Sequence, residues 1–420
     1  MRNLVLVVLL VLSGCTAPGS TATVTILASW SGAEEAKFRR VLDAFEEQTG
    51  IEVDYIGTRA LGQVLESEVQ QGDPPDLVIF PSPGELATYA KRGYLHPLDD
   101  VLPGHREEYG DQWLELERAA TDRQYGLAVK ADLKGVIWFN PKELIEPKPA
   151  RGAELQALVR RTRVTPWCVG MGASPYSGWP GTDWVETLLL RLSGPALYQD
   201  WTAGRLTWAS SPVRAAWETW GALAGPDLVR GGARGALLTD FGDAGRGLFT
   251  DPPGCLLELQ GTFAAGGYQG YETKPKAGID YDFFEVPPFG EGRPAKAVAA
   301  DLAAMFNDTP QARRLMAFLA SASASAIWPG SGGAYSVNRR VPPAAYPDDV
   351  AKRVSGKLTE PGTFCFDASD LMPPTMRTAF HRAVLEYLAD PGRLDEILAN
   401  LDEVRAGVPP GEWLDFPCGS

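Results

Sequence analysis

The segment 23–93 alternates strand-like and helix-like patterns, and this alternation constrains the fold more than any other feature of the sequence. From Thr23 onward, apolar and polar residues alternate as in a half-buried strand. Ser31 and Glu34 then have the spacing of a helix capping box, and apolar residues follow at helical intervals. Further strands are predicted at 51–56 and 76–80, each followed by a helix. This βαβαβ order predicts a parallel sheet flanked by helices, which is the α/β class.

The loops that follow these three strands are the first candidates for a ligand site. Open parallel sheets bind ligands beyond the carboxyl ends of their strands. In this chain those ends lie at Ser29–Gly32, Gly57–Arg59 and Pro81–Gly84. The residues expected to line a site there are Trp30, Ser31, Gly32, Arg59, Pro81 and Ser82.

A second α/β lobe is predicted to begin near residue 130. Strand-like segments at 125–129 and 136–139 lead out of the first lobe, and helical runs follow them. An apolar stretch at 297–306, with a helix after it, is expected to return the chain to the first lobe. We therefore expect two lobes, each with a mostly parallel sheet flanked by helices. Lobe one is predicted at 23–129 plus about 296–329, and lobe two at about 130–295 plus about 330–420.

The N-terminus carries an export signal. A basic start, Met1–Asn3, precedes the apolar run Leu4–Leu12, which is too short to cross the roughly 30 Å hydrocarbon core of a bilayer. Leu12–Cys15 resembles the lipobox of bacterial lipoproteins, so residues 1–14 are predicted to be a signal peptide and Cys15 a lipidated mature N-terminus. Residues 15–22 would form a flexible tether. We expect a protein anchored to the outer face of the cytoplasmic membrane; the alternative is an ordinary secretory signal with a chance cysteine.

Four cysteines remain after Cys15, an even number that suits an oxidising compartment. Two disulfides are predicted, and three connectivities are possible. Chain order weakly favours Cys168 with Cys255 and Cys365 with Cys418. The alternative is that these residues are buried free thiols.

Composition excludes several classes of function. A formal net charge of −14 argues against binding nucleic acid or anionic lipid through a positive field. Three histidines, His96, His105 and His381, are too few and too scattered for a His-based metal cluster or a Ser-His-Asp enzyme. We therefore expect no metal and no cofactor, and any hydrolase chemistry would have to use carboxylates.

Tryptophans in loops are the main chemical signal. Trp30 falls at the end of the first strand, Trp179 and Trp184 flank Asp183 in a Gly/Pro-rich segment, and Trp328 begins another such loop. Sugar sites combine aromatic faces, which contact C–H groups, with polar side chains that bond hydroxyls in fixed directions. Each tryptophan has core packing as its alternative role, and Trp217 and Trp220, on a helical pattern, are predicted to be core.

Polar residues in other loops complete the candidate set. Each of them, taken alone, is more often a helix cap, a turn residue or a surface residue. A glycine-rich segment at 330–333 is a weak anion cradle, because no lysine follows it as in a P-loop. The additional polar candidates are Asp132, Gln260, Asp301, Asp367 and Asp370.

Several stretches together resemble the extracellular carbohydrate-binding proteins of ABC importers, the maltose-type class. They are the lipobox, ASWSGAEEAKFRRVLDAFEEQTGIEVDY, GDPPDLVIFPSPGEL and RGYLHPLDD. The segments PWCVGMGASPYSGWPGTDW, MFNDTPQARRLMAFLAS and GGAYSVNRRV resemble the α-glucoside-binding branch in particular. The likeness extends from about Thr23 to Leu388, and the order and spacing of the segments are its most specific part.

This resemblance implies a type II periplasmic-binding-protein fold, with the ligand in the cleft between the lobes. The protein would be the substrate-binding component of an ABC sugar importer that passes an α-glucoside, disaccharide or short oligosaccharide to the permease and its ATPase. It would perform no chemistry, and we expect a monomer. By position, Trp30 and Trp179 would stack on sugar rings, and Arg59, Asp183 and Asp370 would bond hydroxyls. Other expected cleft residues are Asp132, Gln260, Asp301, Trp328 and Gly333.

Two details qualify the resemblance. Cysteines in the branch stand at positions like Cys168 and Cys255, which supports that disulfide. Glu258 and Gln260 stand where basic or aromatic residues are expected, which leaves the ligand open, including a charged sugar acid bound by Arg59. Two other functions stay as alternatives: a secreted carboxylate-dependent glycoside hydrolase, and a lipoprotein sugar sensor without a transport role.

Overall fold

The computed structural model of the protein describes residues 22–145, 147–290 and 295–419. The predicted signal peptide, the lipidation of Cys15 and the tether up to residue 21 lie outside the described residues. Among the described residues, no helix has both the length and the apolar character that crossing a bilayer would require.

The described chain mixes strands with many helices. The strands are β1 Thr23–Ala28, β2 Glu52–Gly57, β3 Leu77–Phe80, β4 Leu127–Leu133, β5 Val136–Phe139, β6 Leu257–Leu259, β7 Asp282–Glu285, β8 Ala295–Met305 and β9 Thr363–Phe366. The helices are α1 Ala33–Thr49, α2 Leu61–Gln71, α3 Pro83–Lys91, α4 His105–Tyr109, α5 Asp111–Glu117, α6 Gly152–Arg161, α7 Trp179–Thr202, α8 Ser211–Ala224, α9 Gly232–Leu238, α10 Ala264–Tyr268, α11 Pro310–Ala320, α12 Ala322–Gly330, α13 Asp349–Thr359, α14 Ala368–Leu371, α15 Pro374–Ala389 and α16 Leu394–Gly407. A 3₁₀ segment at Phe241–Phe249 also bears on the site.

The first sheet has the strand order β2-β1-β3-β8-β4, with β9 beside β8. β1 is parallel to β2 and to β3, which confirms the predicted βαβαβ start. Helix α1 forms because Phe38, Val41, Leu42 and Phe45 recur at helical spacing and bury one face. β8 runs antiparallel to both β3 and β4. The carboxyl ends of β1, β2, β3 and β4 therefore meet at one edge of the sheet.

The second sheet has the order β6-β5-β7, and both of its pairings are antiparallel. The prediction of a mostly parallel sheet in this lobe is wrong for this ladder. Parallel pairing in this part of the chain occurs at isolated bridges, such as those from Trp167 to Val229 and to Leu257 and from Gly172 to Asp240. Apolar patterning indicates that a strand exists, but its direction depends on how the intervening helices return the chain.

Two hydrophobic cores surround these sheets. The first contains Phe45 and Phe80, and the second contains Trp167, Trp217 and Trp220. The prediction of core positions for Trp217 and Trp220 is thus confirmed, and Trp184 is buried there as well, edge-on to Trp167.

Strand β8 connects the two cores. Ala295 and Ala297 pack in the second core, and the strand enters the first core from Val298 onward. Strand β4 leads through Gly135 into β5 in the same region. Side chains between Ala334 and Leu358 pack in the first core. The bounds of the two lobes stay a prediction.

Two disulfides cross-link the chain, as the sequence predicted. Cys168 is bonded to Cys255 and Cys365 to Cys418, with Cα–Cα distances of 5.4 and 4.3 Å. The first holds the loop before α7 against the start of β6, and the second holds the C-terminal segment against β9. The connectivity is the one that chain order favoured.

Candidate ligand-binding site

A cavity of about 590 Å³ lies beyond the carboxyl ends of the first-sheet strands. One wall comes from the loops after β1, β2 and β3, and the opposite wall from the start of α7, the residues after β6 and α10. Residues of β4 and β8 line it where these strands pass between the cores. The volume falls within the roughly 300–1,000 Å³ typical of small-molecule sites.

Twelve of the fourteen residues predicted to bind a ligand line this cavity. The fold thus brings together positions from Trp30 to Asp370 that are far apart in the chain. Their contact with a ligand stays a prediction. The twelve are Trp30, Ser31, Arg59, Pro81, Asp132, Trp179, Asp183, Gln260, Asp301, Trp328, Gly333 and Asp370.

Gly32 and Ser82 do not line the cavity. Gly32 precedes α1 with a φ of 62°, and its carbonyl accepts a hydrogen bond from the Ala36 N–H. Ser82 is buried: its hydroxyl donates to the Asp370 carbonyl at 2.6 Å and also caps α3 by accepting from the Glu85 N–H. Both residues therefore shape helix starts beside the cavity, which corrects their assignment to its lining.

Lys134 organises the second-core side of the cavity. Its Nζ lies 2.9 Å from Oδ1 of Asp183 and 2.9 Å from Oδ2 of Asp367. Burial raises the pKa of Asp183, with Lys134 opposing this effect. Burial also acts to raise the pKa of Asp367, but Lys134 and several hydrogen bonds outweigh it and hold that pKa well below its usual range. The pair of carboxylates thus shares one buried cation.

Lys130 has the same role on the first-core side. Its Nζ lies 3.4 Å from Glu34, 3.6 Å from Asp132 and 3.7 Å from Asp301. Burial acts to lower the pKa of Lys130, yet these carboxylates raise it above the usual range, so the ammonium group stays charged. Burial raises the pKa of Asp301 to about 7, against the attraction of Lys130.

Two arginines in the lining are also paired. Arg59 Nη2 lies 2.7 Å from Glu34 Oε2, and Arg377 forms an ion pair with Glu85. Lys37, another lining cation, donates to the side-chain oxygen of Gln269 and to a backbone carbonyl. The cations around the cavity are therefore engaged with protein acceptors.

The aromatic residues fall into two groups. Trp179 is partly exposed, with Phe241 and Phe263 edge-on to it at 5.0 and 5.8 Å between ring centroids. Lys134 Nζ lies 5.0 Å from the centre of the Trp179 ring. Trp30 and Trp328 are only 2% and 4% exposed and pack edge-on against each other at 4.6 Å. Trp179 is therefore the tryptophan of the lining whose ring is available to a ligand, while Trp30 and Trp328 form a rigid wall.

Sequence reasoning missed several of these groups. Lys130 and Lys134 were missed, although they stand two residues on either side of the predicted Asp132, and this i, i+2, i+4 spacing was a usable signal for one face of an extended segment. Glu34 was assigned only to a capping box, although its carboxylate lies between Arg59 and Lys130. Phe241 and Phe263 carry no local signal, because only the tertiary fold brings them to Trp179.

A cluster of buried carboxylates adjoins the cavity. Oxygen atoms of Asp183, Glu186 and Asp367 lie within 4.8 Å of one another. Glu186 accepts hydrogen bonds from the backbone N–H groups of Ala368 and Ser369, and Asp367 accepts from the Ser369 hydroxyl. Together with Lys134, these donors satisfy the cluster from within the protein.

The family model for bacterial extracellular solute-binding proteins matches residues 29–326. The chain belongs to this family. This confirms the resemblance predicted from the sequence. The solute-binding protein is also 37% identical, over 401 residues, to the osmoprotective compounds-binding protein GgtB of Synechocystis, with 90% of this chain and 93% of that protein covered. It is 33% identical over 392 residues to the alpha-glucosides-binding periplasmic protein AglE of Rhizobium meliloti, covering 89% of this chain and 85% of AglE.

Solved structures confirm the fold class of the solute-binding protein. The bacterial solute receptor AcbH, described as preferring β-D-galactopyranose, superposes with a TM-score of 0.80 at 18% identity, over 92% of this chain and 98% of that one. The maltotriose-binding protein of Thermus thermophilus superposes with a TM-score of 0.68 at 17% identity, over 92% and 100% of the two chains. The expected two-lobe fold of the periplasmic-binding-protein type is thus established.

Proposed function

We propose that this protein is the substrate-binding component of an ABC sugar importer and binds a neutral α-glucoside, either a disaccharide or a short oligosaccharide. The observation that carries the proposal is the partly exposed Trp179 ring beside the carboxylates of Asp183 and Asp301 in one cavity. An indole face contacts the C–H side of a pyranose, and carboxylates accept hydrogen bonds from its hydroxyls.

The pairing of the cations supports a neutral ligand over a charged sugar acid. Arg59, the residue considered for an acid, is already held by Glu34 at 2.7 Å. Lys130 and Lys134 are each surrounded by carboxylates. A ligand carboxylate would gain less from cations whose charge is already balanced by protein carboxylates, whereas a hydroxyl can bond the remaining oxygen lone pairs.

The name of one relative supports an α-glucoside. AglE is named for alpha-glucosides and GgtB for osmoprotective compounds, and each aligns over about nine-tenths of this chain. Both relatives are binding proteins, so we also propose that this chain binds its sugar without converting it.

Ligand binding would act by closing the cleft. Residues of the first-sheet loops and of α7, α14 and α15 line the same cavity, so a sugar touching both walls stabilises the closed state selectively. The closed form would then present the sugar to the permease. The proposal includes contact between the sugar and the twelve lining residues, and two lobes with the bounds predicted from the sequence.

The family places the protein outside the cytoplasm. We propose further that Cys15 is lipidated and holds a monomer at the membrane surface. Labelling of cells with a radioactive fatty acid tests this: the wild-type protein should incorporate label, and Cys15→Ala should not. Equal labelling of both would reject the anchor.

The function is tested by calorimetric titration of the purified protein with maltose, trehalose, sucrose and maltotriose, with glucuronate as an acidic comparison. We expect at least one neutral α-glucoside to bind and to be recovered unchanged, as judged by chromatography after incubation. Consumption of the sugar would favour the glycosidase. Binding of glucuronate alone would contradict a neutral ligand, and no binding at all would favour the sensor function.

A further inference from the structure

Glu258 and Gln260 form an unusual pair at the β6 side of the cavity. They stand two residues apart at the end of β6, so their side chains lie on the same side of the strand, and both line the cavity. They are only 2% and 3% exposed. The backbone at Gln260 is fixed, because its N–H donates to the Val136 carbonyl and its carbonyl accepts from Trp138 Nε1, both at 3.2 Å.

Glu258 has a hydrogen-bond donor beside it but no cation. Its Oε2 accepts from the Tyr268 hydroxyl at 2.6 Å, and among the described residues it takes part in no ion pair. Gly245 packs against it so closely that a Cβ there would lie 2.3 Å from Oε2. Tyr271 and Tyr281 lie behind Tyr268, at 5.7 and 5.2 Å between ring centroids.

Arg246, a cation of the 3₁₀ segment that also contains Gly245, is engaged elsewhere. Arg246 stacks on the outer ring, Tyr271, at 4.4 Å, and pairs with the exposed Asp243. Burial raises the pKa of Glu258 to about 8, with the Tyr268 hydrogen bond opposing this effect. The carboxyl is therefore protonated and uncharged at neutral pH, and it can both donate and accept hydrogen bonds.

Gln260 has an unmet acceptor. Its Oε1 is buried and, among the described residues, has no hydrogen-bond donor. A buried acceptor without a donor is destabilising, so a ligand that supplies a donor gains affinity at this position. A hydroxyl group supplies one, whereas a carboxylate is an acceptor only and would face Gln260 Oε1 unfavourably.

We infer that Glu258, Gln260 and Tyr268 form an uncharged subsite that binds the hydroxyl groups of one end of the ligand and rejects acidic groups there. This inference rests on the proposed function and assigns the ligand class more narrowly, as a glycoside whose second unit is a neutral polyol or sugar. It also gives a role to the two residues that depart from the pattern of the α-glucoside-binding branch.

The ligand arm of the test compares maltose, maltitol and maltobionate by calorimetry. These share one α-glucosyl group and differ in the second unit, which is a sugar ring, a polyol or a carboxylate. We expect maltose and maltitol to bind and maltobionate to bind at least about tenfold more weakly. If maltose and maltobionate bind equally, the subsite is wrong while the proposed function stands. If none of the three binds, the inference is overturned, while the proposed function then depends on the titrations with trehalose, sucrose and maltotriose.

The variant arm uses Gln260→Leu and Glu258→Gln. Gln260→Leu keeps the shape but removes the acceptor, and we expect it to weaken maltose binding by about tenfold or more. Gln112→Leu is the matched control, because Gln112 also has a buried amide atom without a partner among the described residues but lies outside the cavity. The Gln112→Leu variant should bind maltose with wild-type affinity. Circular dichroism and thermal unfolding establish that each variant is folded.

Glu258→Gln distinguishes a neutral carboxyl from an ionised one. An amide replaces a protonated carboxyl closely, so affinity at pH 7 should stay within about threefold of the wild type. Between pH 7 and 9 the wild type should lose affinity as Glu258 ionises, and Glu258→Gln should not. A folded Gln260→Leu with wild-type affinity would overturn the inference. Loss of all sugar binding in Glu258→Gln at pH 7 would also overturn the inference. A wild-type preference for glucosamine over glucose would then indicate that Glu258 is ionised.

Discussion

Glu85 and Arg377 form an ion pair across the cleft. Glu85 lies in α3, which packs in the first core, and Arg377 lies in α15, which packs in the second. The Ser82 hydroxyl reinforces this contact by donating to the Asp370 carbonyl at 2.6 Å. Under the proposed function, these two contacts would stabilise the closed cleft together with the ligand.

Glu85→Gln should therefore weaken sugar binding, because the apparent dissociation constant rises as the binding-competent fraction falls. We expect the affinity to weaken by about tenfold or more, since both side chains are largely buried and the variant leaves the Arg377 charge without its partner. Small-angle scattering should show a larger radius of gyration without ligand. The control is Glu386→Gln, whose partner Arg382 lies on the same helix. If both variants change the sugar affinity equally, the Glu85–Arg377 ion pair does not stabilise the closed cleft.

Lys134→Met should destabilise the protein strongly at pH 7. It would leave Asp183 and Asp367 buried without their shared cation, a loss of about 3–5 kcal/mol for a broken buried pair. Urea unfolding measures the change, which should shrink at pH 4.5 as the carboxylates take up protons. Lys352→Met removes an exposed pair with Asp349 and should cost less than about 1 kcal/mol. A loss for Lys134→Met as small as for the control would show that water or rearrangement replaces the cation.

Trp179→Ala should lower sugar affinity by at least about tenfold while leaving the thermal midpoint within a few degrees of the wild type, since the ring is partly exposed and its loss opens no deep cavity. Trp30→Ala should instead lower the stability of the protein, because it removes a buried ring that packs on Phe38 and Trp328. We expect a loss of about 3–5 kcal/mol in the free energy of unfolding. Trp413→Ala, also partly exposed but outside the cavity, serves as control. Unchanged affinity in a folded Trp179→Ala would make this ring structural.

Asp301→Asn should stabilise the protein at pH 8 but not at pH 4. Burial raises the pKa of Asp301 to about 7, compared with about 3.9 in an unfolded chain. The folded protein therefore binds more protons than the unfolded chain between these values, so this carboxyl's contribution to stability falls as pH rises from about 4 to 7. An asparagine avoids ionisation, and we expect a gain on the order of 2 kcal/mol at pH 8.

Urea unfolding at several pH values checks this expectation. Asp349→Asn, at an exposed position, should show no such pH-dependent gain. Lys130 keeps Glu34 and Asp132 as partners in Asp301→Asn, so the variant leaves no unpaired buried cation. A stability that falls at pH 8 would mean that Asp301 is held ionised by Lys130.

Much of the first lobe was predictable, because each of its elements has a local signal. Alternation, the helical spacing of apolar residues and the Ser82 cap predicted β1, α1 and α3 close to their observed bounds. Positions after strand ends predicted cavity residues such as Trp30 and Arg59 for the same reason. Lys130 of β4 and Lys134, just after it, could also have been found from their spacing. The capping box predicted at Ser31 and Glu34 is wrong: α1 begins after Gly32 without a side-chain cap, and Glu34 pairs with Arg59 and Lys130 instead.

The rest depends on interactions that no short segment encodes. The direction of β6 and β7 beside β5 is set by the path of the helices between them. The pairing of Lys134 with Asp367 joins residues more than 200 positions apart, and only the assembled fold creates it. Whether a tryptophan is exposed, like Trp179, or walled in, like Trp328, is likewise decided by the neighbours that the fold supplies.

The position of β8 affects the order in which the molecule can fold. β8 lies between β3 and β4, where Ile79 pairs with Ala303 and Leu127 pairs with that same residue from the other side. Two strands made early in synthesis therefore keep open edges until residue 305 has been made, and pairings this distant in sequence form slowly. The first sheet therefore cannot be completed until about three-quarters of the chain has been made, which favours an incompletely folded chain, the state in which an exported protein can still be threaded through a membrane.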